Sequence, residues 1–346
     1  MIASIAAEPE LREAERPPEE RGLARDGVLM LVADPADGSL HHLHFDELPG
    51  LLGPPDVLVI NTSRTLPAAL PARAPGGTLV LLHLSTPAPG EDESRWIVEL
   101  RTADGRRLGG HAGQRLQLPA GAEAELLAGH LGSRLWVADL HLGGRDLIEY
   151  LEAHGRPIRY RHSAGEWPLA AYQNVYANEP GSAEMPSAGR PFTAEAITQL
   201  VARGVDVAPV VLHTGVSSLE RGEPPYPERF EISAASAARI NLARSLGGRV
   251  VAVGTTSVRA VESAADPDGH VRPAAGWTHL VIGDERQPHA VDAVLSGFHD
   301  RNSSHLKLLE SLAGPRLLER AYASARQHGY LRHEFGDVLL VLPGRR

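Results

Sequence analysis

The sequence predicts an α/β protein whose mainly parallel sheet is interrupted by a small β-barrel or sandwich. Three observations carry this. Strand-like apolar runs alternate with helix-period segments on both sides of the chain's middle, the pattern of βα units. Between about residues 71 and 142 helical periodicity is lost, and short strand-like runs recur with turn signals between them. The chain's 346 residues, 42% of them apolar, suit two domains or one domain with a large insertion. The expected division is residues 1–71 and 144–346 for the α/β part and 72–143 for the inserted barrel.

Residues 1–22 are acidic and proline-rich (EPELREAERPPEE) and lack the basic-then-apolar order of a signal peptide; poor order is expected at their start. Residues 27–32 read as a strand, 35–38 as a turn and 39–45 as a second strand. His41, His42 and His44 on that second strand have no metal-site company and read as surface residues. Residues 46–52 form a short helix. Residues 56–61, apolar between their ends, form a buried strand. That strand delivers Asn61, Thr62, Ser63 and Arg64 at its carboxyl end, where open α/β sheets place ligands. Arg64 there suits a carboxylate or phosphate, or equally a surface ion pair.

The barrel strands are expected at 78–84, 96–101, 114–118, 122–127 and 134–142. A helix follows over 145–155, with Leu147, Ile148 and Leu151 on one face. Arg156, Arg159, Arg161 and His162 then make the densest basic run in the chain, a phosphate site or a solvated cluster. Residues 172–193 (YQNVYANEPGSAEMPSAGRPFT) read as neither periodic helix nor strand. Pro180-Gly181 and Ala188-Gly189 are breaker pairs at which backbone approaches a ligand closely, and Thr193 caps the helix that follows. The alternative is an ordinary long connection.

Residues 205–213 form a strand ending at His213-Thr214-Gly215. Residues 233–246 form an alanine-rich helix stopped by Gly247, and 249–253 a buried strand. Gly254-Thr255-Thr256-Ser257 turns into a helix starting near Val258, which is how α/β folds build anion sites. A strand at 278–282, helices at 303–312 and 315–328 and a closing strand at 338–342 complete the chain.

Composition narrows the chemistry. The absence of cysteine excludes disulfides, thiolate metal ligands and cysteine nucleophiles. Lys307 is the single lysine, so lysine-base chemistry has one candidate, in a helical segment. A net charge of −9 argues against a large nucleic-acid footprint, although one basic face on an acidic body is compatible with it. No apolar run approaches a membrane span, and a cytoplasmic location is expected.

The stretch at 172–193, VVLHTGV at 210–216 and VVAVGTTSVRAVESAA at 250–265 together resemble the queuosine-pathway S-adenosylmethionine:tRNA ribosyltransferase-isomerases. DVLVINTSRTLPAAL at 56–70 and GFHDRNSSHLKLLESLAG at 297–314 have counterparts too, and the resemblance runs from about residue 6 to 342. GTTSVR with its flanks is its most specific part. The resemblance implies a Rossmann-like α/β domain with an inserted Greek-key barrel. It also implies S-adenosylmethionine as co-substrate, no metal, and the amine of 7-aminomethyl-7-deazaguanine in tRNA as acceptor. Such a site needs a proton acceptor near neutral pKa, an acid for the departing adenine and a partner for the methionine carboxylate. On this reading His213 carries proton transfer, and Arg259 contacts a carboxylate or the ribose, unless it pairs with Glu262 on the helix surface. Tyr176 and Phe192 stack on adenine unless they are core. Ser187, Gly189, Gly215, Gly254, Thr255, Thr256 and Ser257 cradle the donor. Asn61, Arg64, Arg190, Phe298 and His299 face the acceptor.

Several stretches depart from the family pattern. Residues 187–192 read Ser-Ala-Gly-Arg-Pro-Phe in place of Thr-Ala-Gly-Leu-His-Phe, so a histidine is lost at Pro191 and a charge appears at Arg190. Residues 215–219, 229–231 and 297–301 also differ, and the basic run at 156–162 replaces an apolar segment. These departures leave three readings: the tRNA enzyme, a relative with a small acceptor bearing a carboxylate or phosphate, and a non-catalytic binder of an adenosyl ligand.

Overall fold

The structure, a computed structural model, describes residues 10–90, 94–132, 134–159, 163–216, 226–300 and 303–345. Strands β1 (Arg12–Glu13), β2 (Leu29–Ala33) and β3 (Leu40–His44) precede helix α1 (Leu48–Leu51). Then come β4 (Val57–Asn61), β5 (Ser63–Thr65), β6 (Ala69–Arg73), β7 (Leu79–Pro87), β8 (Arg95–Arg101), β9 (Arg115–Gln117), β10 (Glu123–His130) and β11 (Leu135–His141). Helix α2 (Leu147–His154), strand β12 (Glu179–Ser182), helix α3 (Ala194–Ala202) and strands β13 (Asp206–Leu212) and β14 (Glu228–Ile232) follow. The chain closes with α4 (Ala234–Ser245), β15 (Val250–Val253), α5 (Gly254–Ser263), β16 (Ala274–Thr278), β17 (Ala293–Gly297), α6 (Ser304–Ala313), α7 (Pro315–Gln327), β18 (Leu331–Arg332) and β19 (Val338–Val341).

Nine strands form one sheet in the order β16-β14-β13-β4-β15-β17-β19-β2-β3. Its centre, β13-β4-β15-β17, is parallel. Every residue of β4 and β15 is buried, which is why both read as unbroken apolar runs. Alternate side chains serve opposite faces. Val57 and Val59 join Ile240 of α4, Val258 of α5 and Ala321 of α7 in one core. Leu58 and Ile60 join Leu48 of α1 and Leu200 of α3 in another. Pro209 is tolerated inside β13 because β14 pairs with that strand only at Val211 and Leu212.

Six strands close a barrel in the order β10-β11-β8-β7-β6-β9, around a core containing Leu82, Val98, Leu100, Leu126 and Ala138. All five expected barrel segments are strands, and a sixth, β6, begins at Ala69 within the segment assigned to the α/β part. Thr193 caps α3 as expected, accepting from Ala196 N at 3.1 Å.

Four expectations change. The strand placed at 278–282 is β16, which ends at Thr278, because residues 274–278 pair with β14 while Val281 stands exposed. The helix placed near Val258 opens at Gly254, whose φ of 86° turns the chain from β15 directly into α5. The stretch 172–193 holds a short strand, β12, parallel to β5. Strands β14 and β17 had no counterpart in the reading: one is a short, polar Glu-Arg-Phe-Glu-Ile run between β16 and β13, the other a short Ala-Val-Leu-Ser-Gly run without a periodic signature.

Among the described residues no helix is long and apolar enough to cross a membrane. Nor does any group of three histidine or carboxylate side chains among them form a possible metal site.

Candidate functional site

The four parallel strands end at one edge of the large sheet. β4 lies between β13 and β15, so the chain builds outward from β4 first on one side and then on the other; such a reversal opens a crevice at the carboxyl ends. Residues 61–64, 213–216, 254–259 and 298–299 meet there, each following one of these strands. The barrel touches the same edge. Val216 N donates to Ser85 Oγ of β7 at 3.0 Å, and a Cβ on Gly215 would fall 2.6 Å from that oxygen.

His213 is held from three directions. Its backbone N–H donates to Arg229 O at 2.9 Å, its Nδ1 lies 2.7 Å from Ser63 Oγ, and its ring lies on Gly181, where a Cβ would sit 2.4 Å from Nδ1. Burial, with the Arg229 guanidinium nearby, pushes its pKa down to about 4. The imidazole is therefore neutral at neutral pH, and the expected titration near neutrality is not what this environment gives. Ser63 Oγ lies 2.6 Å from Ser182 Oγ, which accepts from Thr214 N at 3.0 Å.

Arg259 pairs with Glu228 of β14 and donates from Nε to Leu280 O at 3.1 Å, while its Nη2 is buried without a partner among the described residues. The other carboxylate oxygen of Glu228 accepts from Gly215 N at 3.3 Å, so one carboxylate ties GTTSVR to the segment after His213. The alternative pairing with Glu262 is not formed. That carboxylate instead receives the N–H groups of His289, Ala290 and Val291 and pairs with Arg286 at 3.1 Å.

The rest of GTTS divides by role. Thr255 Oγ1 lies 2.8 Å from His305 Nδ1, and Ser257 Oγ donates to Val253 O inside the helix. Thr256 Oγ1 is buried and unpartnered among the described residues. A Cβ on Gly254 would come 3.3 Å from both Thr256 Oγ1 and Ala188 Cβ, which brings the 186–190 turn against the start of α5. His305 stacks on His299 with centroids 4.5 Å apart, and His299 Nε2 lies 2.9 Å from Ser296 Oγ. Burial holds both rings neutral, with His305 at about 4.

In the 172–193 loop, Gly189 makes room for Tyr176: a Cβ there would lie 2.0 Å from Tyr176 Oη. That hydroxyl and Asn174 Oδ1 are both buried without hydrogen-bond partners among the described residues. Ser187 is half-buried, and its carbonyl accepts from Arg190 N at 2.9 Å.

Other sequence candidates are engaged in the fold. Phe192 is fully buried, edge-on to Phe45 and Tyr176, and Phe298 is edge-on to Tyr322 and Tyr330; both are core rings. Asn61 bridges strand ends, donating to Leu212 O and accepting from Leu212 N and Ser63 N. Arg64 forms a surface pair with Glu152 at 3.0 Å. Arg190 is 3% exposed; Glu19 grips it at 3.0 and 2.9 Å, its Nε donates to Ala171 O, and Phe335 lies beneath it. It is thus not the open cation expected beside the donor. Arg156 lies 3.8 Å from Glu166, and Arg161, His162 and Ser217-Ser218-Leu219 lie outside the described residues.

The sequence reading missed Glu228, His305, Ser182 and Asn174. His305 lies inside the quoted 297–314 segment, and Glu228 directly precedes the departure at 229–231, so their positions were marked although their roles were not.

Fold and edge together define an α/β protein with polar side chains gathered at the carboxyl ends of its parallel strands. The chain matches the family described as queuosine biosynthesis protein over residues 7–341, and it belongs to that family. An S-adenosylmethionine:tRNA ribosyltransferase-isomerase from Symbiobacterium thermophilum is 38% identical over 329 residues, spanning 92% of this chain and 94% of that protein. A protein of the same name from a Methylobacterium species is 36% identical, spanning 96% of each. The crystal structure of an S-adenosylmethionine tRNA ribosyltransferase from Thermotoga maritima matches with a TM-score of 0.54 at 26% identity, covering 96% of this chain and 99% of that one.

Proposed function

We propose that the protein is an S-adenosylmethionine:tRNA ribosyltransferase-isomerase. It transfers and isomerises the ribosyl group of S-adenosylmethionine onto the amine of 7-aminomethyl-7-deazaguanine in tRNA, releasing adenine and methionine and giving epoxyqueuosine. The observation that carries the reading is the link from His213 through Gly215 and Glu228 to Arg259. It assembles an imidazole and a guanidinium at the sheet's carboxyl edge, in a chain whose full-length relatives bear that name.

On this reading S-adenosylmethionine lies between 254–259, the 186–192 loop and His213. Buried polar atoms without partners there fit a ligand with several hydrogen-bonding groups: Arg259 Nη2 toward its carboxylate or ribose, and Thr256 Oγ1 and Tyr176 Oη toward its polar edges. Gly189, Gly215 and Gly254 let backbone come close, Ser187 lies on the accessible side of the turn, and Thr255 and Ser257 fix the start of α5. The sulfonium acidifies the ribose C5′ protons, one of which is removed as adenine is expelled. His213 supplies the imidazole for that exchange, as acceptor of the C5′ proton or as donor to the departing base.

Phe192 supports the site from the core instead of stacking on adenine, Phe298 does so instead of facing the acceptor, and His299 acts through His305 on Thr255. Asn61 orders the strand ends, and Arg64, paired with Glu152 at the surface, is held for the acceptor side. The order β9-β6-β7-β8 supports a Greek-key barrel, and the parallel core supports a Rossmann-like α/β domain. We read the chain as that domain carrying the barrel, with the boundary expected at 71/72 moved to the start of β6 at Ala69 and the barrel ending near residue 143, in the cytoplasm.

The small-acceptor reading rested on Arg190 as an open cation, and Glu19 neutralises it. Neither that reading nor the non-catalytic one gains support from the relatives, whose names specify tRNA.

The test is incubation with S-adenosylmethionine and tRNA carrying the deazaguanine precursor at two salt concentrations. Adenine and methionine are expected in equal amounts, and only with tRNA. Affinity is expected to fall by about 10³ to 10⁵ between low and moderate salt for six to ten phosphate contacts. Adenine release that ignores tRNA, or none at all, would refute the assignment.

A further inference from the structure

Among the described residues the hydroxyls of Ser63 and Ser182 have no hydrogen-bond partners beyond a short chain that ends on His213. Both are buried, at 1% and 0% exposure, so each hydroxyl hydrogen must find its acceptor within that chain. The contacts are four: Thr214 N to Ser182 Oγ, Ser182 Oγ to Ser63 Oγ, Ser63 Oγ to His213 Nδ1, and Ser63 N to Asn61 Oδ1. The first fixes a direction, because a backbone N–H can only donate.

Only one arrangement of hydrogens uses every group. Thr214 N–H donates to Ser182, Ser182 donates to Ser63, and Ser63 donates to Nδ1 of His213. If Nδ1 instead carried the hydrogen and donated to Ser63, one of the two hydroxyls would be left with its hydrogen buried and unaccepted. The same conflict arises when the ring is protonated on both nitrogens, in agreement with the depressed pKa of His213. Gly181 holds the ring in register, since a side chain there would strike Nδ1.

We propose that Ser63 and Ser182 hold His213 in the tautomer with its hydrogen on Nε2, so that the ring meets a bound ligand as a hydrogen-bond donor and not as a proton acceptor. This rests on the functional reading above and narrows it. Nε2 makes no hydrogen bond among the described residues, which leaves its N–H to a ligand. A neutral imidazole N–H polarises an acceptor without transferring a full charge. At this edge the fitting acceptors are an adenine ring nitrogen or a ribose oxygen of the donor substrate. Ser63 and Ser182 are positioning residues, acting through His213. They come from two stretches more than a hundred residues apart, INTSR and EPGSAEMPS.

The tautomer is read directly by long-range ¹H–¹⁵N correlation on ¹⁵N-histidine-labelled full-length protein, with His213 assigned by its loss in His213→Gln. The expected spectrum has an unprotonated Nδ1 and a protonated Nε2 from neutral pH down to about pH 5. Ser63→Ala should weaken this preference and raise the pKa of His213, a change that a purely packing role of Ser63 would not produce. In turnover, His213→Gln retains an N–H near the Nε2 position but no proton-accepting nitrogen. It should exceed His213→Ala in kcat by about tenfold, the rate equivalent of one hydrogen bond.

A protonated Nδ1 in the wild type, or glutamine as inactive as alanine beside an active wild type, would overturn the proposal. The two readings fail separately. A wild type that releases no adenine counts against the activity, whereas the nitrogen shifts test the relay whether or not turnover is seen.

Discussion

The barrel and the carboxyl edge of the large sheet both bury an arginine against a glutamate, and the two sites are built differently. In the barrel, Glu99 of β8 receives Arg101 at 2.7 Å and Arg134 at 2.6 Å, so one carboxylate serves two guanidiniums, one on β8 and one next to β11. Its partners are two residues away on the same strand and just before β11, next to Leu135, which Glu99 faces across the ladder. At the sheet edge, Glu228 serves one guanidinium and one backbone N–H, and Arg259 keeps a buried Nη2 without a partner among the described residues. Asn174 Oδ1, Tyr176 Oη and Thr256 Oγ1 share that condition nearby. Such atoms, each costing about 1–3 kcal/mol, also occur elsewhere, as at Thr86 Oγ1 of β7 in the barrel, but four of them lie at this edge. We read their gathering near the ends of the parallel strands as a site completed by a ligand.

The first way to break this comparison is Arg259→Ala. Losing one partner of a buried charge pair costs about 3–5 kcal/mol of stability, because Glu228 is left uncompensated. The thermal shift given by S-adenosylmethionine, about 2.7 kcal/mol at a hundredfold excess over Kd, should disappear with it. Arg101→Ala in the barrel should leave that ligand shift intact, as scanning fluorimetry with and without the ligand would show. A surviving shift in Arg259→Ala would remove this residue from the site.

A second variant sharpens the steric side. Gly189→Ala places a methyl 2.0 Å from Tyr176 Oη and should destabilise by about 1–3 kcal/mol. Tyr176→Phe in the same chain should restore part of the loss, since the clash is with the hydroxyl. Urea melts of both variants decide it; equal stability of the single and double variants would contradict the contact.

Arg190→Met separates a structural arginine from a functional one. Glu19 is 43% exposed on its side chain and becomes hydrated once its partner is gone, so the expected loss is about 1–2 kcal/mol. The affinity for S-adenosylmethionine should hardly change. A tenfold fall in that affinity would return Arg190 to the donor site.

A further expectation concerns pH dependence. His213 and His305 are pushed by burial down to about 4, and His83 in the barrel to about 3. The unfolded chain takes up these protons first, near pH 6.5. Stability from these groups is therefore fully present above about pH 6.5 and is lost as pH falls toward about 4. His213→Gln should flatten the slope in that window, and His83→Gln should flatten it there and on down to about pH 3. An unchanged slope in both would contradict the burial of these rings.

The comparison also explains what the sequence made legible. The barrel could be read from residues 71–142 because alternation and turns are local signals, and β4 and β15 because a strand buried on both faces is a continuous apolar run. The edge was legible only in part. GTTSVR and His213 stood out as strand ends, but their connection through Glu228 is tertiary. The charge on Arg190 looked available because its partner Glu19 lies 171 residues away, in a leader that reads as an acidic tail. Phe192 and Phe298 looked like ligand platforms because nothing in sequence distinguishes an aromatic facing a crevice from one turned into the core. The direction of the Ser182–Ser63–His213 chain depends on burial and distance, which no spacing encodes.

Hydrogen exchange with and without S-adenosylmethionine tests the central claim most directly, because it reports the edge and the barrel in one experiment. The account predicts slower exchange at residues 186–192, 213–216 and 254–259, with β7, β8, β10 and β11 unchanged away from Ser85. Protection confined to the barrel strands, or absent from 254–259 at saturating ligand, would contradict it.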